Sequence, residues 1–185
     1  MSFRSLHWFI PVLLSSLFVG CSATNPNILN SYDASSTARV RIFVYSADRI
    51  RLDFDRTCYT SPGMMGHGEG LEAIQRGHYQ GSRSVGMPPT LKNADAVFDE
   101  FIITAGIPVT VFGQVGGTYR SQWVTISSPE TKDAGYFVPV AGKDYEIYVQ
   151  KRKVIVEDLG ASSPELGQFV ELTQAGPCVT GGKKD

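Results

Sequence analysis

The chain has 185 residues, 42% hydrophobic and 19% charged, with 17 basic against 18 acidic side chains and a formal charge of −1 at pH 7. That balance removes any global electrostatic case for a nucleic-acid partner, and the length suits one domain with a core that needs no metal to stand. Nineteen glycines, ten prolines and 11% aromatics, among many Val, Ile and Tyr, favour strands and turns over helices.

An apolar run from Leu6 to Val19 follows Arg4 and stops at Gly20-Cys21. Interrupted by Pro11 and Ser15-Ser16, it holds about 14 residues where a spanning helix needs about 20, so it reads as an export signal. Val19, Gly20 and Cys21, with Phe18 where leucine is usual and Leu17 one place early, resemble the lipobox of bacterial lipoproteins. The resemblance implies cleavage before Cys21, a diacylglycerol thioether and an amide-linked acyl chain there. With Ser22 next, it also implies residence on the periplasmic side of the outer membrane. Two or three acyl chains hold a protein durably, whereas one is marginal.

The expected division is a signal peptide over 1–20, a lipidated flexible tether over 21–37, a β domain over 38–180 and a disordered tail over 181–185. Residues 22–37 are small and polar, too poor in apolar side chains to offset the entropy of ordering. With Cys21 acylated, Cys58 and Cys178 are left as one pair in an oxidising compartment. A disulfide between them is expected, two buried thiols being the alternative.

In chain order, Val40, Ile42 and Val44 alternate with Arg39, Arg41 and Phe43, and Ile50, Leu52 and Phe54 alternate with Arg51, Asp53 and Asp55. Two such runs separated by residues 46–49 predict a hairpin. Residues 59–96 are irregular, with the Gly-rich stretch 61–70, a short helical turn expected over 71–76, and Met87-Pro88-Pro89, which cannot occupy a central strand. Long irregular insertions often bind, so this region is the first candidate edge for a ligand or partner. Strands are expected at 97–104, 107–115 and 118–127, with turns at Ala105-Gly106 and Gly116-Gly117 and a loop at 128–133.

Further strands are expected over 136–140, 145–149 and 168–174. The apolar parity switches between Ile147-Val149 and Val154-Val156, which requires a turn or bulge at Lys151-Arg152-Lys153. Seven to nine short strands with regular turn signals predict an all-β antiparallel sandwich of immunoglobulin or transthyretin type.

Catalytic signals are weak. His67 and His78, with Glu69 and Glu72 near, lack the HxH or HExxH spacing that orients metal ligands. The glycine pattern at 66–70 lacks the Lys-Ser or Lys-Thr pair of a phosphate loop. Asp99-Glu100 and Glu157-Asp158 are adjacent, so strand geometry sends each pair to opposite faces, and no Gly-x-Ser-x-Gly elbow occurs. No enzyme, cofactor or metal is therefore expected.

Arg39, Arg41 and Arg51 can form a basic ladder that grips anionic groups of the envelope, and exposed pairing with Asp48, Asp53 and Asp55 is the plainer account. Tyr119, Trp123, Tyr136, Tyr145 and Tyr148 can form an aromatic patch, or serve as core.

Short motifs, Ala38-Arg39-Val40-Arg41-Ile42-Phe43 and Ala141-Gly142-Lys143-Asp144-Tyr145-Glu146, resemble small all-β envelope lipoproteins of Gram-negative bacteria. The expected function is a membrane-anchored, non-catalytic binding or accessory module with an envelope protein partner. The alternatives are a structural part of a secretion or assembly machine, similar to type VI secretion lipoproteins, and a periplasmic hydrolase.

Overall fold

The computed structural model describes residues 26–60, 70–75, 83–89, 97–120, 123–160 and 167–179. Its strands are β1 (Ile28–Leu29), β2 (Thr37–Phe43), β3 (Arg49–Phe54), β4 (Leu71–Gln75), β5 (Phe98–Thr104), β6 (Val109–Arg120), β7 (Thr125–Phe137), β8 (Asp144–Gln150), β9 (Lys153–Asp158), β10 (Gln168–Phe169) and β11 (Thr173–Gln174). A single 3-10 turn, Val44–Ser46, follows β2, and no α-helix occurs among the described residues.

Two sheets form, in the orders β1-β5-β2-β8-β9-β10 and β11-β7-β6-β3-β4. All pairings within them are antiparallel except β2 with β8. One apolar core lies between them, drawing Val40, Ile42, Phe101, Ile103, Ile147 and Val156 from the first sheet and Ile50, Leu52, Val109 and Val111 from the second. The all-β expectation holds, and eight of the strands have five residues or more.

The hairpin expected from Val40–Val44 and Ile50–Phe54 does not exist. β2 pairs with β5 and β8, whereas β3 pairs with β4 and β6 in the other sheet. Crossing between sheets sets the apolar face of β2 against that of β3, which burial of both runs demands and which side-by-side pairing would not give.

The glycines at 116–117 and the stretch 128–133 are not turns. They face each other inside one long ribbon of β6 and β7, where the register shifts between Val115 and Gly117. Gly116 and Gly117 have φ of +80° and +108°, a bulge that glycine accepts without strain. A Cβ on Gly116 would collide with the Pro129 carbonyl.

Residues 71–75 form β4, an edge strand on β3, and not a helical turn. Cross-strand pairing of Arg49 with Glu72 at 2.8 Å helps hold it there. The turn demanded by the parity switch is present at Lys151-Arg152, both with positive φ, joining β8 to β9. The final strand divides in two: β10 pairs with β9 in one sheet and β11 with β7 in the other.

Order begins earlier than the tether boundary at residue 37. Ile28 and Leu29 pair with Ile103 and Ile102 of β5, and Asp33 opens a tight turn through hydrogen bonds from Ser36 and Thr37 amides to its carbonyl at 3.1 and 2.8 Å. Two apolar residues suffice here because a waiting sheet edge supplies their backbone partners. Cys58 and Cys178 are joined as a disulfide, flanked by Tyr59 N–H to Gly176 O and Cys178 N–H to Tyr59 O hydrogen bonds.

Candidate binding surfaces: a capped charge row and a projecting arm

Strand register places four ionisable side chains in one line across the outer face of the first sheet. Arg41 on β2 stands opposite Glu100 on β5 and Glu146 on β8, and Glu146 stands opposite Glu157 on β9. An outer face would ordinarily be wet, yet Arg41, Glu100 and Glu146 are each 1% exposed. What covers Arg41 and Glu100 is the irregular segment 83–89, which lies across them as a strap.

The strap is held by charge. Glu100 Oε2 accepts from the amides of Val85 and Met87 and from the Ser84 hydroxyl, at 2.7, 3.3 and 3.0 Å. Its Oε1 accepts from Arg41 Nη2 and Nε at 2.6 and 3.1 Å. Arg41 also donates to Glu146 at 2.9 Å and to the Pro88 carbonyl at 2.6 Å, with its guanidinium 4.5 Å over the Phe98 ring. One row away, Arg39 forks onto Asp144 at 2.6 and 2.7 Å and donates to the Gly86 carbonyl.

Burial raises the Glu100 pKa, but the donors from Val85, Arg41, Met87 and Ser84 outweigh it and hold the carboxyl below its ordinary value. The bond to Asp144 likewise raises the Arg39 pKa against the pull of burial.

The arginine ladder is therefore not a free anionic grip. Arg41 is sealed between two glutamates, Arg39 is matched by Asp144, and Arg51 lies on the other sheet, bound to Asp53 at 2.8 Å. Of the plainer pairing account the Arg51–Asp53 pair is present, and Asp53, Glu100 and Glu146 are buried, not exposed. Glu100, Glu146 and Asp144 come from strands far away in sequence, so residue spacing could not reveal them. The irregular region 59–96, expected as a free binding edge, spends its described parts on the protein itself.

The aromatic patch also disperses. Tyr145 is in the core with its ring 5.2 Å from that of Phe137, and burial pushes its hydroxyl pKa up although it accepts from the Val140 amide. Tyr148 packs on Phe43 and donates to Glu157 at 2.6 Å. Tyr136 joins Phe112 and Ala134 on the outer face of the second sheet. The Tyr119 side chain, Cys21, His67 and His78 lie outside the described residues.

Trp123 is 85% exposed, with Val124 and Ile126 each 51% exposed beside it. They sit at the tip of the β6–β7 ribbon. β3 accompanies β6 only as far as Arg49 opposite Gln114, so from residue 115 to 131 the ribbon projects as a two-stranded arm. Its root is fixed by Gly113, where a Cβ would come within 2.8 Å of Val149 and Val154 methyls from the facing sheet. The exposed Lys151-Arg152-Lys153 turn is at this same end, since β8 finishes and β9 starts there.

No family model, no curated protein and no solved structure matches this chain. Among the described residues, no group of His, Cys, Asp and Glu could hold a metal ion, and no helix is long and apolar enough to cross a membrane.

Proposed function

We propose that this protein is a non-catalytic binding or accessory module of the bacterial envelope, anchored through lipid on Cys21 to the periplasmic side of the outer membrane. The observation that carries the binding reading is the arm: an apolar tip of Trp123, Val124 and Ile126 on a ribbon that leaves the sandwich, beside a basic turn. Large aromatics at an exposed tip are what protein interfaces use as anchors. The partner this fits is a folded envelope protein with an apolar pocket rimmed by carboxylates.

A second reading, a structural part of a secretion or assembly complex, is favoured by strand order. β5-β2-β8-β9 packed on β7-β6-β3-β4, with a parallel pair between first and seventh long strands, supports a transthyretin-like subdivision of the sandwich. Both readings are tested by placing a photo-crosslinking amino acid at position 123 in intact cells. A discrete adduct at 123 that is absent from a probe at exposed Val179 supports a dedicated partner. A stoichiometric membrane complex selects the second reading, and no adduct at all removes both. Intact mass of the purified protein reads acylation of Cys21 directly.

A further inference from the structure

The sandwich has two ends, and strand register assigns each. The arm, the 3-10 turn Val44–Ser46 and the Lys151-Arg152 turn are at one end. At the other are Asn27, whose carbonyl accepts from the Thr104 amide at 3.2 Å, the turn at 33–37, Gly106 and the loop 138–143 between β7 and β8.

We propose that the loop 138–143 is the lipid-facing end of the domain, with Val138 and Val140 resting in the headgroup region of the bilayer that holds Cys21. The inference rests on the acylated reading of Cys21 given above.

Three observations carry it. First, the chain joins the sheet at this end, and seven peptide steps from Cys21 to Ile28 span at most about 25 Å fully extended. The arm strand β6 alone has 12 residues, about 40 Å at strand rise, so the leash is too short to bring the far end to the bilayer while the domain stands.

Second, Val138 and Val140 are 50% and 58% exposed, an apolar pair pointing outward at the end nearest the anchor. Third, much of the loop's polar backbone is bonded internally. The Pro139 carbonyl accepts from Gly106 N–H at 2.8 Å, the Val140 N–H donates to the Tyr145 hydroxyl at 3.0 Å, and the Val140 carbonyl accepts from Lys143 N–H at 3.3 Å. Each group so bonded can approach acyl chains without being stranded. Acids at this end are likewise engaged: Asp33 by the Ser35 amide and the hydroxyls of Ser35 and Ser36, Asp144 by Arg39 and Asp158 by Lys143.

The test uses the chain's own tryptophan. After Cys21 only Trp123 remains of the two tryptophans, and it marks the far end. Acylated protein beginning at Cys21 is reconstituted into phosphatidylethanolamine and phosphatidylglycerol vesicles with or without brominated acyl chains.

Trp123 emission is expected to be unchanged by bromination. In the Trp123→Phe, Val140→Trp variant, emission is expected to fall at least about twofold, as for an indole seated at the interface. Quenching of Trp123, or an unquenched Val140→Trp in protein whose mass shows the acyl chains, overturns the orientation. A mass showing unmodified Cys21 overturns the anchor reading instead. Attaching a maleimide lipid to that thiol then asks the orientation question separately, with the same two emission outcomes. Unaltered far-UV dichroism confirms that the variant folds.

Discussion

Replacing Arg41 by methionine tests whether the charge row holds the strap or merely decorates it. The substitution removes the guanidinium that donates to Glu100, Glu146 and the Pro88 carbonyl and leaves two carboxylates that are 1% exposed. Breaking a buried pair by removing one partner costs about 3–5 kcal/mol, because the surviving charge is uncompensated. In a domain of this size each kcal/mol lowers Tm by about 2–4 °C, so a fall of about 6–20 °C is expected. Arg41→Lys keeps the charge but cannot fork across three acceptors, and a smaller loss is expected. The assay is thermal unfolding, with urea unfolding for the free energy, both followed by near-UV dichroism with the disulfide oxidised in every sample. A change below about 1 kcal/mol in Arg41→Met, far short of the cost of a broken buried pair, would refute the reasoning.

Acid should release the strap. The folded pKa of Glu100 is depressed, so its stabilisation is full above the ordinary glutamate value of about 4.3 and lost as pH falls through the lower folded value. Proteolysis within 83–89 is expected to rise in that acid window, and a Glu100→Gln variant to show a flatter acid limb. Removing the disulfide as Cys58→Ser with Cys178→Ser opens a loop with a sequence separation of 120. The chain-entropy account puts that at up to about 5 kcal/mol, read as a shift in the urea midpoint. Gly113→Val forces methyls into Val149 and Val154 at the arm root, an overpacking expected to cost about 1–3 kcal/mol by thermal unfolding. Trp123→Ala leaves Tm within about 1 °C, because an exposed side chain adds little to the fold, while abolishing the adduct formed by a photo-crosslinking residue at exposed Ile126 of the same tip.

Strand content was legible wherever one face of a run is apolar. Val40, Ile42 and Val44, or Tyr145, Ile147 and Val149, carry a period of two, and the switch to even-numbered Val154 and Val156 located the Lys151-Arg152 turn. Partners were not legible, because alternation shows which face is buried but not which strand lies alongside. Ile42 and Ile50 look like members of one hairpin until the sheets are seen to face each other. Turn chemistry misled at Gly116-Gly117 and Ser128-Pro129 for a physical reason: a bulge needs the same positive φ as a turn, and an outer strand edge admits proline. Asp99-Glu100 and Glu157-Asp158 do not read as pairs in the sequence because adjacent strand residues face opposite ways. That geometry is sound, but Glu100 and Glu157 find their companions on neighbouring strands.

The parallel pairing of β2 with β8 also constrains how the chain comes together in time. Arg39 must wait for Asp144, 105 residues downstream, and no local hairpin can stand in for that neighbour. Closing so distant a contact costs loop entropy before it returns any stabilisation. One edge of β2 can zip to β5 once residue 104 is made, but its other edge stays open until β8 is delivered, so the centre of this sheet is sealed late.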